Sequence, residues 1–242
     1  MALKKHIPNC ITCCNLVSGC IATVFALSAP ENAKLALTWI IIGAVFDFFD
    51  GMSARLLHVS SPIGKELDSL ADDVTFGVAP SAIIFTELWV IEYPPVLEPF
   101  RHIIPFVAFV MAAFSALRLA KFNLDTRQST SFIGLPTPAN ALFWGALIVG
   151  AHGFIESLSV WALPLLVAMV LISSWLLVAE VPMFALKFKH WGWKGNEVKY
   201  IFLLTSIPPL VILRVSAFAL IIAWYVVLSL ITNHLNRTQA QN

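Results

Sequence analysis

Charge is what this sequence has least of. Only 12% of its 242 residues are Asp, Glu, Lys or Arg, against about 25% in a soluble domain. A chain so poor in charge cannot cover a water-facing surface, which excludes a soluble globular protein. The formal net charge of +1 supplies no basic field, so no nucleic-acid partner is expected. Cysteine is as sparse: Cys10, Cys13, Cys14 and Cys20 sit together in one apolar N-terminal stretch. Cys10 and Cys13 form a CxxC, but no second ligand pair accompanies it for zinc, and the four are read as small packing residues. His6, His58, His102, His152, His190 and His234 never stand three or four apart. No two of them therefore share a helix face, and none is assigned a metal. No Ser/Gly linker, low-complexity tract or internal repeat divides the chain, so residues 1–242 are read as one integral membrane domain. Met1 to His6 is only weakly basic, and the apolar run after it is too long for a cleaved signal peptide.

What the chain has is hydrophobic length. Hydrophobic residues make up 59%, mean hydropathy is +0.83, and the solvent for most of it is lipid. With about 20 apolar residues needed to cross a bilayer, the sequence predicts an all-α polytopic bundle of about eight helices. They fall near 8–28, 33–55, 67–91, 103–122, 137–155, 159–183, 199–213 and 215–234, with turn punctuation such as Pro94-Pro95 and Gly134 to Pro138 between them. The seventh is short and contains Pro208-Pro209.

Placing both termini in the cytoplasm tests this layout. The inner segments then hold Lys4, Lys5, Arg55, Lys65, Arg118, Lys121, Arg127, Lys187, Lys189, Lys194, Lys199 and Arg237, and the outer ones only Lys34, Arg101 and Arg214. A twelve-to-three split obeys the positive-inside rule. Trp89 and Tyr93, with Glu92 and Glu98, form the expected outer interfacial belt, and Trp191 and Trp193 the inner one.

Against this apolar background, Asp47 to Asp73 is anomalous. Five aspartates and one glutamate lie where helices two and three meet the cytoplasmic face, although an ionisable group at membrane depth costs about 2.5–3.5 kcal/mol. Asp47 and Asp50 are three apart on one helix face, and Asp68 and Asp72 four apart on another. A loop with Ser60, Ser61, Pro62 and Gly64 lets the two helices lie antiparallel, so four carboxylates converge. Their repulsion calls for a hard divalent cation, and magnesium commonly bridges carboxylates to substrate phosphates. Asp73, roughly 100° around a regular helix from Asp72, need not join them. Gly51 and Ala54 are small enough to let a nucleotide approach the helix, and Arg55 carries a donor fork suited to phosphate.

The run Asp47, Asp50-Gly51, Ala54-Arg55, Gly64, Asp68, Asp72 resembles the signature D-x2-D-G-x2-A-R-x8-G-x3-D-x3-D of the CDP-alcohol phosphotransferases, at every one of its positions. The resemblance implies Asp47, Asp50, Asp68 and Asp72 as ligands of a divalent metal, Mg or Mn, in two ions, with Asp72 also the general base. It implies Gly51, Ala54, Arg55 and Gly64 around a CDP-lipid. Pro8-Asn9, Thr12 and Asn15, similar to the family's P-N-x-x-T-x-x-N, would cap the nucleotide and diphosphate.

Stretches 72–80, 118–123 and 132–140 resemble the serine-accepting members, implying CDP-diacylglycerol and L-serine as substrates. Thr75, Lys121 and Asp73 depart from the pattern, where Ser, Arg and an apolar residue are usual. For the serine carboxylate the candidates are Arg118, Lys121 and Arg127. For its ammonium they are Asp73 or the stretch from Pro136 to Asn140, where Thr137 and Asn140 complete the acceptor set. Two of these assignments have plainer rivals: Arg118 and Lys121 as snorkelling topology determinants, and Thr137 as a helix cap. Glycerol 3-phosphate, an inositol phosphate or choline remain alternative acceptors. A divalent-cation transporter is the rival from another class; it accounts for the carboxylates but not for Gly51, Ala54, Arg55 and Gly64. A homodimer in a bacterial inner membrane, among membrane lipids and with its active site facing the cytoplasm, completes the expectation.

Overall fold

A computed structural model describes residues 6–59, 61–124, 132–184, 192–193 and 195–241. Ser60, Arg127, His190, Trp191 and the lysines at 4, 5, 187, 189 and 194 lie outside the described residues, as do the side chains of His234 and Arg237. The helices are α1 (His6–Ser28), α2 (Ala33–Leu56), α3 (Pro62–Asp72), α4 (Ala79–Val90), α5 (Val110–Leu124), α6 (Thr137–Ser157), α7 (Ala162–Val178), α8 (Glu197–Leu213) and α9 (Ala217–Gln241).

Among the described residues, seven segments are long and apolar enough to span a bilayer when Glu197–Asn233, 37 residues, counts as one. A straight helix of that length would run roughly 56 Å, far beyond a core of about 30 Å. A short turn at Arg214–Ser216, with Arg214 at φ 51°, divides it, and α8 packs back on α9. The expected seventh and eighth spans are therefore two helices.

Three expectations need correction. The third span begins at Pro62 rather than 67, because Pro62 occupies the first helical position and Ser61 caps it, its Oγ accepting from Gly64 N at 3.0 Å. The sixth ends at Val178 rather than 183; beyond it β2 (Pro182–Met183) pairs antiparallel with β1 (Phe132–Ile133). Gly134, at φ 78°, makes the turn after β1, and a Cβ there would stand 2.5 Å from Leu177 O. The four cysteines do not pack inside: all are exposed on α1.

Those cysteines face outward because α1 is inverted relative to a helix in water. Its buried stripe is small and polar, from Thr12 through Asn15, Ser18 and Gly19 to Ala22 and Ala26, the pattern that lets membrane helices approach closely. α1 lies along α2 and against α3 and α4. Between α3 and α4 the chain widens into a π-helical segment, Asp73–Val78. Thr75 there is fully buried, its Oγ1 donating to Asn15 O at 3.1 Å. A Cβ on Gly43 would stand 2.6 Å from Thr75 Cγ2, and one on Gly19 would overlap the Thr75 backbone. Two glycines thus let α1 and α2 close on Thr75, which brings Asp72 between them.

Candidate active site

The inward stripe of α2 runs through Ala36, Ile40 and Gly43 and continues, in steps of four and three, to Asp47 and Asp50. Asp68 and Asp72 face them from α3. One carboxylate oxygen from each of Asp47, Asp50 and Asp68 lies within 4.8 Å of the others. Asp72 stands in side-chain contact with Asp47, and its Oδ1 accepts from Asn15 Nδ2 at 3.1 Å. Thr12 Oγ1 donates to Asp50 Oδ2 at 2.6 Å. Among the described residues, no lysine or arginine nitrogen comes within 4.0 Å of these carboxylates. Oxygen donors at this separation, with no protein cation between them, could hold a hard divalent ion.

Beside the cluster opens a cleft of about 270 Å³, lined by Asn9, Thr12, Asp50, Gly51, Ala54, Gly64 and Asp68 among others. A Cβ on Gly51 would meet nothing within 4 Å, whereas one on Gly64 would stand 3.0 Å from both Asn9 Oδ1 and Ser61 Oγ. Gly51 is therefore open floor, and Gly64 is where α3 crosses close to α1. Two residues of the expected CDP set sit elsewhere. Asn15 is fully buried beneath Asp72. Arg55 is exposed, its Nε donating to Gly51 O at 3.0 Å, outside the cleft lining.

The expected acceptor residues divide as well. Arg118 is buried on α5, 8% exposed, within electrostatic reach of Asp72 and Tyr225, and its Nε has no hydrogen-bond partner. Lys121, one turn on, is exposed. Thr137 and Asn140 are both buried in the first turn of α6. Pro136, not Thr137, holds the N-cap position, with no side-chain cap, and both polar atoms of the Asn140 amide lack partners. Asp73 lies in the π segment, where its Oδ1 and Ser115 Oγ both approach the Cα of Gly77 and the Ser115 hydroxyl stands beside the carboxylate. α5 and α6 both pack on this segment.

A sequence profile of the family described as CDP-alcohol phosphatidyltransferase matches residues 5–183. This chain belongs to that family. It is 38% identical over 135 residues to the CDP-diacylglycerol–serine O-phosphatidyltransferase of Bacillus subtilis (strain 168), covering 55% of this chain and 70% of that protein. To the protein of that name in Mycobacterium bovis it is 32% identical over 189 residues, 73% of this chain and 60% of the relative. To that of Saccharomyces cerevisiae it is 36% identical over 164 residues, 62% and 54% respectively.

In this CDP-alcohol phosphatidyltransferase the structure adds residues that sequence reading passed over. Tyr225 on α9 stands beside Arg118, with its hydroxyl donating to Phe184 O at 2.9 Å; one more aromatic in an apolar helix carries no signal. Asn123 ties α5 to α3: its Nδ2 donates to Ser69 Oγ at 2.8 Å, and its carbonyl accepts from Lys65 Nζ at 2.9 Å. Asn123 ends a motif quoted above, and its polarity at a helix end was the available clue.

Proposed function

We propose that this chain transfers the phosphatidyl group of CDP-diacylglycerol to the hydroxyl of L-serine, giving phosphatidylserine and CMP. The observation that carries this reading is the convergence of Asp47, Asp50 and Asp68 within 4.8 Å at the edge of a cleft floored by an open Gly51, in a chain of this family. Asp47, Asp50 and Asp68, with Asp72, would hold divalent metal, Mg or Mn, in two ions. Bound there, the metal supplies Lewis-acid stabilisation of the phosphoryl oxygens and offsets the clustered negative charge.

The residues do the rest. Asn9, Thr12, Gly51, Ala54 and Gly64 receive the CDP moiety, and Arg55, outside the lining, is tied to it through its bond to Gly51 O. The first turn of α3 borders the same cleft through Ser61, Gly64 and Lys65, and a helix N-terminus favours a diphosphate. Asp72, oriented by Asn15, accepts the proton of the serine hydroxyl. That oxygen bonds to the lipid-bearing phosphorus as the phosphorus–oxygen bond to CMP breaks, and CMP departs with the electron pair. Arg118 binds the serine carboxylate, Asp73 its ammonium, and the unpaired amide of Asn140 lies with Thr137 in the same set. Lys121, exposed, guides the anionic substrate rather than holding it.

The protein works as one membrane domain, a homodimer in a bacterial inner membrane, with both termini and the site on the cytoplasmic side. The twelve-to-three charge split supports that orientation. The test is CMP release from CDP-diacylglycerol by the purified protein, with L-serine, glycerol 3-phosphate, inositol phosphate or choline in separate reactions. Release above a water blank is expected with serine. Release with glycerol 3-phosphate and none with serine would overturn the acceptor assignment and leave family membership intact.

A further inference from the structure

Lys65 counts in the sequence only as one more inner-face charge, yet it lines the cleft beside the aspartates. Among the described residues of that lining it is the one cation. Arg55, whose donor fork suits phosphate, lies outside the lining. A CDP donor brings a negatively charged diphosphate into this space. Four ionised aspartates cancel two divalent ions, so the diphosphate calls for a cation from the chain itself.

A lysine stem is flexible, but this one is anchored: Lys65 Nζ donates to Asn123 O at 2.9 Å. That carbonyl belongs to the last turn of α5, which ends at Leu124, where carbonyls lack partners within their own helix. The helix dipole favours a cation there as well. The anchor is itself tied to α3. Asn123 Nδ2 donates to Ser69 Oγ at 2.8 Å, and Ser69 Oγ donates to Lys65 O at 3.3 Å. Three hydrogen bonds thus close a ring between α3 and α5, beside Asp68. Among the described residues no carboxylate comes within 4.0 Å of the ammonium, so it does not neutralise the metal cluster. An ammonium has three donors, and the Asn123 carbonyl takes one.

We infer that Lys65 is a phosphate-binding residue of the donor cleft, held there by the C-terminal carbonyl of α5 and pairing with the diphosphate of the bound cytidine nucleotide. The inference rests on the CDP donor proposed above and is independent of which alcohol accepts. Because the anchor is a main-chain oxygen, it survives replacement of the Asn123 side chain. Lys65 is exposed, so replacing it removes no core packing.

The test is calorimetric titration of CDP, with Mg²⁺ present, into the purified full-length protein. Lys65→Met should weaken CDP binding about 10-fold, the loss of one hydrogen bond to a charged group. The KM for CDP-diacylglycerol should rise with it while the KM for serine stays unchanged. Lys65→Arg, which keeps the charge, should bind CDP within about threefold of wild type. Asn123→Ala loses the tie to Ser69 but keeps the carbonyl, and should bind CDP as wild type does. Wild-type CDP affinity in Lys65→Met overturns the inference, and so does an equal loss in Asn123→Ala, since the lysine then only caps α5. No CDP binding by the wild-type protein would overturn the donor reading and this contact together.

Discussion

Asn15 on α1 donates its amide to Asp72 on α3 at 3.1 Å, joining the N-terminal helix to the proposed catalytic base. The same residue's carbonyl accepts from Thr75, so Asn15 holds the chain on both sides of the transition from α3 into the π segment. Hydrogen bonds to a charged group contribute about 1.5–3 kcal/mol. Asn15→Ala should lower kcat for CMP release about 10- to 100-fold while changing the KM for CDP-diacylglycerol little. A purely structural role would instead lower the amount of folded protein and leave kcat per folded molecule intact.

Chelation should abolish turnover. EDTA is expected to stop CMP release and added Mg²⁺ or Mn²⁺ to restore it. Asp47→Ala and Asp68→Ala should be inactive although inserted and folded. Wild-type turnover by either variant without added metal would remove the metal from the mechanism.

The two glycines of the cleft should respond differently. Gly51 faces open space, so Gly51→Leu should leave the melting temperature unchanged or raised, since glycine inside a helix costs about 0.5–1 kcal/mol relative to alanine. Its bulk should raise the KM for CDP-diacylglycerol. Gly64→Ala presses on Asn9 and Ser61, each 3.0 Å away, and should lower the melting temperature. Comparing melting curves with KM values for the two variants is the check.

Arg118 and Lys121 differ in burial, and so should their variants. Loss of a charge-assisted bond of about 1.5–3 kcal/mol predicts that Arg118→Ala raises the KM for serine about 10- to 100-fold with little change for CDP-diacylglycerol. Lys121→Ala, removing an exposed side chain, should change it less than threefold, or roughly 0.6 kcal/mol. Equal effects in a serine titration would mean that both act only through the local field.

Much of the site was legible because its chemistry opposes its surroundings. Asp47, Asp50, Asp68 and Asp72 stand out in an apolar chain, and regular helical spacing alone puts each pair on one face. What the spacing could not convey was departure from regularity. The π segment begins at Asp73, so angular arithmetic from Asp72 does not carry through it, and Gly19 and Gly43 acquire meaning only once Thr75 lies between them. The cysteines were misread because burial preferences from water-soluble cores reverse where lipid meets the outer face.

The matched family region ends at residue 183, yet Tyr225, from the hairpin of α8 and α9 that follows, reaches back to Phe184 and the flank of Arg118. Asn233 of the same helix donates to Pro182 O. The hairpin of α8 and α9 thus leans, through Tyr225, on the flank of the proposed acceptor residue Arg118. In the proposed reaction that hairpin bears on the acceptor side, from behind Arg118, while α1 to α3 hold the aspartates.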